Sequence, residues 1–122
     1  MRWTLTREYR FEAAHQLHWH PGRCARLHGH SYRMEVSVSG PLDARGVVRD
    51  FAEIDAVVEE AVLDSFDHSF LNDLIDNPTC ERLAAHAFAR ILEAGLDVVS
   101  VRLWETERGS VTVVSDERTT EA

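Results

Sequence analysis

The sequence contains no lysine: all 13 basic residues are arginine. That absence excludes any chemistry that needs a side-chain amine to form a Schiff base. Positive charge is scarce altogether, with 13 arginines against 21 acidic residues and a net charge of −8. A nucleic-acid surface normally needs a basic face, so that class of partner is set aside. No apolar run approaches the roughly 18 to 20 residues of a membrane span. The opening Met1-Arg2-Trp3-Thr4 does not resemble an export signal, and the expected compartment is the cytoplasm. Cysteine is limited to Cys24 and Cys80, which a reducing compartment is expected to leave unpaired. No internal repeat, low-complexity run or linker interrupts the 122 residues, a length that predicts one domain over 1–122 with a flexible tail at about 118–122.

Against these absences, histidine is abundant. Of seven histidines, five (His15, His18, His20, His28 and His30) crowd around Cys24. The residues before them alternate from Trp3 to Phe11, with Trp3, Leu5, Tyr9, Phe11 and Ala13 on one side. A period of two is the mark of a half-buried strand. Gln16 to Leu27 holds Pro21 and Gly22 and reads as a loop. A second alternating run places His28, His30, Tyr32, Met34, Val36 and Val38 on one face before Gly40-Pro41 stops it.

The period then changes. Asp50 and Glu53 are spaced as an N-cap with its capping-box partner, and apolar residues recur at three and four from Phe51, predicting a helix to about Ser65. Thr79 is a second N-cap candidate ahead of the stripe Leu83, Ala84, Ala87, Phe88, Ile91 and Leu92, with Gly95 as the helix stop. Two more strands are predicted at Asp97–Glu107 and Ser110–Ser115, joined by a turn at Arg108-Gly109. The order β-β-α-α-β-β predicts an α+β domain, a four-stranded antiparallel sheet with two helices on one face. So small an open sheet has exposed edges, and joining sheets between subunits would cover them.

The candidate site follows from the strand period. His28 and His30 are two apart, so both imidazoles lie on the apolar face with Tyr32 and Met34. If the first two strands form a hairpin, His15 arrives beside that pair. Three neutral imidazoles converging in this way form a zinc site with an open fourth position. Cys24, flanked by Arg23 and Arg26, is either a fourth ligand that closes the site or a base or nucleophile beside an open one. Asp67 directly precedes His68, and in a turn an aspartate can orient an imidazole that moves protons. Glu105 continues the row Val99, Val101 and Leu103. A carboxylate there either emerges into solvent or meets paired donors, such as the amino group and ring N–H of a guanine-like or pterin ring. His18, His20 and His86 read as solvated or helix-face residues, and Cys80 as a packing or capping residue.

Taken together, Phe11-Glu12-Ala13-Ala14-His15, Cys24-Ala25-Arg26-Leu27-His28-Gly29-His30, Asp50-Phe51, Asp67-His68-Ser69-Phe70-Leu71-Asn72, Asn77-Pro78-Thr79 and Glu105-Thr106 resemble the 6-pyruvoyltetrahydropterin synthase / 6-carboxytetrahydropterin synthase family. The match spans nearly the whole chain, and the spacing of Cys24 to the His-Gly-His run resembles the bacterial 6-carboxytetrahydropterin synthases. The resemblance implies a T-fold (tunnelling fold) whose subunits join into trimeric barrels, two of which stack as a hexamer. It implies Zn2+ on His15, His28 and His30, Cys24 as general base with Asp67 and His68 as relay partners, and Glu105 and Thr79 at the pterin. It also implies active sites between subunits. The activity it implies is a lyase acting on 7,8-dihydroneopterin triphosphate in queuosine biosynthesis. The alternatives are a pyruvoyl product without side-chain cleavage, or a non-catalytic zinc- or pterin-binding paralogue. The loop between His15 and Cys24 looks shorter than in familiar members, and Cys80 stands where serine is frequent.

Overall fold

The computed structural model describes residues 1–116; the tail predicted at about 118–122 lies outside the described residues. Strand β1 (Trp3–His15) pairs antiparallel with β2 (His28–Gly40) along its whole length, from Trp3 opposite Gly40 to His15 opposite His28. The two alternating runs therefore form the expected hairpin, with the Gln16–Leu27 loop at its end. β2 pairs with β4 (Val98–Thr106), and β4 with β5 (Gly109–Val114), both antiparallel. These are the four predicted strands. A fifth, β3 (Ser69–Phe70), adds parallel to β1 and gives the order β3-β1-β2-β4-β5. Two residues are too few to show a period, so the sequence pattern carries no sign of it. The turn into β5 falls at Glu107 and Arg108, one residue ahead of the predicted Arg108-Gly109.

The first helical segment runs as α1 (Phe51–Val58), a π turn (Glu59–Leu63) and α2 (Asp64–Phe66). The wider π turn shifts the buried face, so that Ala61, Val62 and Leu63 are buried in succession. Asp50 caps this segment by accepting from the Ala52 N–H. The capping box is not completed, because the Glu53 carboxylate pairs with Arg45 and Arg49 instead. α3 (Cys80–Glu93) starts at Thr79, whose hydroxyl oxygen accepts from the Arg82 N–H, and ends before Gly95 at φ +99°. A left-handed residue is what a helix stop requires and glycine adopts freely. Leu92 departs from the predicted stripe and is 52% exposed.

Phe11, Tyr32, Met34, Val36, Val101 and Leu103 on the sheet pack with Val58, Val62, Phe66, Leu83, Ala87 and Ile91 of the helices. The other face carries charge. There the Arg33 and Arg102 guanidiniums sit 3.7 and 4.3 Å from the Trp104 ring centroid. Leu83 has no exposed surface, so Leu83→Ala is expected to cost about 2–5 kcal/mol of unfolding free energy through lost burial and a cavity. Urea unfolding followed by circular dichroism checks this.

Candidate metal centre and active site

The strand register builds the site. With His15 opposite His28 and Ala13 opposite His30, the hairpin delivers three imidazoles to the core face at one end of the sheet. Their centroids lie 4.6, 4.8 and 5.1 Å apart. His15 has no exposed surface. Its Nδ1 is 2.9 Å from the Pro78 carbonyl, and His28 Nδ1 is 2.7 Å from the Arg26 carbonyl. A carbonyl only accepts, so each Nδ1 carries a proton, and the neutral form of each ring leaves Nε2 with a bare lone pair. Those two Nε2 atoms are 3.0 Å apart. Two neutral rings in this tautomer cannot donate to each other, so a hydrogen bond here needs a proton on one Nε2, whereas a cation is shared by both lone pairs.

His30 adds a third. Its Nε2 is buried without a hydrogen-bond partner, and burial is the main cause that moves its pKa below the usual histidine value, with the Glu105 charge opposing. A ligating imidazole must be neutral, and this environment favours that form. The ligand atoms of His15, His28 and His30 lie within 4.8 Å of one another. Converging bare nitrogens, two of them oriented by backbone carbonyls, fit a divalent cation such as zinc.

Glu105 faces the same point. Its Oε1 is buried with no hydrogen-bond partner, 3.4 Å from His15 Nε2 and 3.9 Å from His30 Nε2. A register shift between Trp104 and Thr106 leaves Glu105 at a bulge in the β4–β5 pairing, a device that re-aims a side chain. The Glu105 side chain as a whole is 30% exposed, while this one oxygen is buried.

Cys24 lies in a single 3-10 turn (Arg23–Ala25), half-buried and free. Its carbonyl accepts from the Leu17 N–H at 2.8 Å and ties the loop across its base. Its sulfur does not belong to the metal-capable group of three histidines. Asp67 and His68 are gripped by one residue of β1. Asp67 Oδ1 accepts from the Glu12 N–H at 2.9 Å, and the His68 N–H donates to the Glu12 carbonyl at 2.6 Å. The Glu12 bond is the largest of the effects that hold the Asp67 carboxyl below the usual range. His68 Nδ1 is 3.0 Å from Asp67 Oδ1, while the His68 side chain is 79% exposed. His68 has φ +56°, a conformation sparsely populated by residues other than glycine and costing roughly 1 kcal/mol or more. The strained turn presents the imidazole outward while its aspartate stays fixed.

Outer supports complete the site, among them Asn72, Asn77 and Pro78, which stand in the quoted motifs without an assigned role. Asn72 accepts from the Gln16 N–H and donates to the Gln16 carbonyl, both at 2.9 Å, which fixes the chain next to His15. Trp19 Nε1 donates to Asn77 at 2.8 Å and ties the loop to the segment that carries Pro78. The Pro78 and Arg26 carbonyls have no side-chain signature at all. His20 serves its own loop, accepting from the Gly22 N–H, and His86 stacks on Phe66 at 5.7 Å.

Cys80 is a packing residue. Its thiol donates to the Leu103 carbonyl at 3.4 Å, and burial, reinforced by the Glu105 charge, pushes its pKa up to about 12. Below that value it is a thiol, the unreactive form. In a Cys24→Ala variant, iodoacetamide at pH 7.5 is therefore expected to leave the folded chain unlabelled, with labelling setting in as the pH approaches 12. Mass spectrometry reads the adduct, and full labelling at pH 7.5 would contradict the burial argument.

These features define a class: an α+β domain with a three-histidine, metal-capable centre at the end of a hairpin and an aspartate–histidine pair at the sheet edge. The family model described as 6-pyruvoyl tetrahydropterin synthase matches residues 4–116. The chain belongs to this family, as its motifs suggested, and is an enzyme of the lyase class. It is 41% identical over 112 residues to the 6-carboxy-5,6,7,8-tetrahydropterin synthase of Synechocystis sp., covering 85% of this chain and 87% of that one. It is 36% identical over 101 residues to the dihydroneopterin monophosphate aldolase of Pyrococcus furiosus, covering 78% and 82%. Among solved structures, 6-pyruvoyl tetrahydropterin synthase of Caenorhabditis elegans superposes with a TM-score of 0.85 at 25% identity, covering 95% of this chain and 97% of that one. The T-fold is shared. No helix among the described residues is long and apolar enough to cross a membrane.

Proposed function

We propose that the chain is a zinc-dependent 6-carboxytetrahydropterin synthase. It converts 7,8-dihydroneopterin triphosphate, with water, into 6-carboxy-5,6,7,8-tetrahydropterin, acetaldehyde and triphosphate, a step toward queuosine and other 7-deazapurines in the cytoplasm. The observation that carries this reading is the convergence of three imidazoles, two with Nε2 left bare by Nδ1-to-carbonyl contacts. Relatives bearing the 6-carboxy name support the product.

His15, His28 and His30 hold the cation, which when bound supplies Lewis-acid stabilisation of negative charge on substrate oxygen. Cys24 Sγ removes a proton from the substrate side chain. His68, oriented through Nδ1 by Asp67, passes protons onward. Glu105 accepts from the paired donors of the pterin ring. Thr79 lies next to Pro78, the residue that orients His15, and its hydroxyl keeps a proton to donate to substrate while its oxygen caps α3. The exposure of His68 supports a site completed between subunits, in a hexamer built as a dimer of trimers.

Product analysis tests the reading. The zinc-loaded protein is incubated anaerobically with 7,8-dihydroneopterin triphosphate, and products are read by mass spectrometry with a parallel acetaldehyde assay. Acetaldehyde with a carboxytetrahydropterin mass is the expected result. Triphosphate release with an intact three-carbon side chain would make it a pyruvoyl-forming enzyme, and no turnover would make it a binding paralogue.

A further inference from the structure

We infer that Tyr32 is a further specificity-determining residue: its hydroxyl, which the chain's own groups leave without a hydrogen-bond partner, donates to a ring acceptor of the bound pterin. That role rests on the pterin reading proposed above and deepens it. Tyr32 is 1% exposed, and its hydroxyl oxygen is buried with no partner among the described residues. A buried hydroxyl without a partner is costly to keep, and phenylalanine would fill the same space without that cost. The buried side-chain atoms left without a partner among the described residues are His30 Nε2, the Tyr32 hydroxyl and Glu105 Oε1. The metal reading gives His30 a cation, and the pterin reading gives Glu105 the paired donors of the ring. The Tyr32 hydroxyl is the one left over.

The sheet places Tyr32 beside Glu105. Arg33 stands opposite Trp104 and Met34 opposite Leu103, so the same register carried one residue further sets Tyr32 across from Glu105. On its other side Tyr32 faces Phe11, and the two rings stack at 4.8 Å and 11°. The His30 ring meets it edge-on at 5.5 Å, so the phenol is held by packing before any ligand arrives. Burial raises the Tyr32 pKa, and the Glu105 charge adds to the rise, as a near neighbour does. Ring chemistry then sets the polarity of the contact. A carboxylate that takes the 2-amino group and N3–H of a pterin leaves N1 on one side of that pair and O4 on the other. Both are acceptors. A group beside the carboxylate therefore meets an acceptor in either orientation, and a phenol supplies the donor. A ring with a donor at that point is disfavoured, which makes the residue selective.

The test compares the full-length wild-type and Tyr32→Phe chains loaded with zinc, using pterin itself (2-amino-4-oxopteridine) as the binding probe, read by its fluorescence. Tyr32→Phe is expected to weaken pterin binding about three- to tenfold, the worth of one net hydrogen bond. The loss of turnover is expected in KM for 7,8-dihydroneopterin triphosphate rather than in kcat. Zinc affinity is expected to stay the same, and the urea midpoint of the ligand-free variant to stand at or above that of the wild type. Unchanged pterin affinity in Tyr32→Phe would overturn the inference, with ordered water left to serve the hydroxyl. A lower urea midpoint would also overturn it, because the hydroxyl would then have a partner within the free fold. A loss of zinc affinity matching the loss of pterin affinity would do the same, because the residue would then act through His30. Failure of the zinc-loaded wild type to bind pterin would instead defeat the pterin reading, and this inference with it.

Discussion

His15→Ala is expected to abolish stoichiometric zinc binding, weakening it by more than about 100-fold, because loss of an outer-shell partner alone costs about 10–100-fold. His15 is the centre of the group: it lies 3.0 Å from His28 Nε2 and 3.4 Å from Glu105 Oε1, and its other nitrogen is held by Pro78. Removing it takes away one donor and the side chain that fixes the spacing of the others. Turnover is expected to vanish with the metal and not to return on adding zinc at concentrations that saturate the wild type. Chelator competition and metal analysis after dialysis check the affinity. Metal-free wild-type and variant proteins should unfold at more similar denaturant concentrations than the zinc-loaded pair, because binding to the folded state adds stability that the variant cannot gain. Undiminished zinc binding in the variant would place the metal elsewhere in the chain.

That expectation could be framed from the sequence because the strand period is strict where the histidines lie. Alternation through Phe11 and Ala13, resumed through His30, Tyr32 and Met34, fixes which side chains share a face. A hairpin then brings His15 beside the His28–His30 pair, and the structure sets the register with His15 opposite His28. The parts that were not legible depend on contacts without a local pattern. Backbone carbonyls orient His15 and His28, and no side chain at Pro78 or Arg26 announces that role. Glu53 was expected to cap its helix, but Arg45, eight residues away, and Arg49 take its carboxylate. The π turn from Glu59 to Leu63 interrupts a stripe that otherwise reads as continuous helix. For Glu105 the apolar row before it gave the face but not the aim, which depends on the shift of register against β5.

Cys24→Ala is expected to separate chemistry from metal binding: zinc stays at one per chain, while turnover falls about 10²–10⁴-fold, the usual contribution of a positioned acid or base. The asymmetry with His15 follows from placement. The Cys24 sulfur lies outside the group of converging nitrogens, whereas its backbone carbonyl ties the loop by accepting from Leu17. Alanine keeps that carbonyl, so the loop and the histidines are expected to hold their positions. X-ray absorption at the zinc edge of the wild type should then show nitrogen and oxygen neighbours without sulfur. Loss of zinc in Cys24→Ala, or a sulfur neighbour in the wild type, would make the centre a closed structural site and overturn the catalytic assignment. Retention of both zinc and turnover would move the base to another residue, and the Asp67–His68 pair would be the next to substitute. Because the two losses differ in kind, one in affinity and one in rate at full occupancy, the pair of variants tests whether a metal and a separate thiol base share one active site.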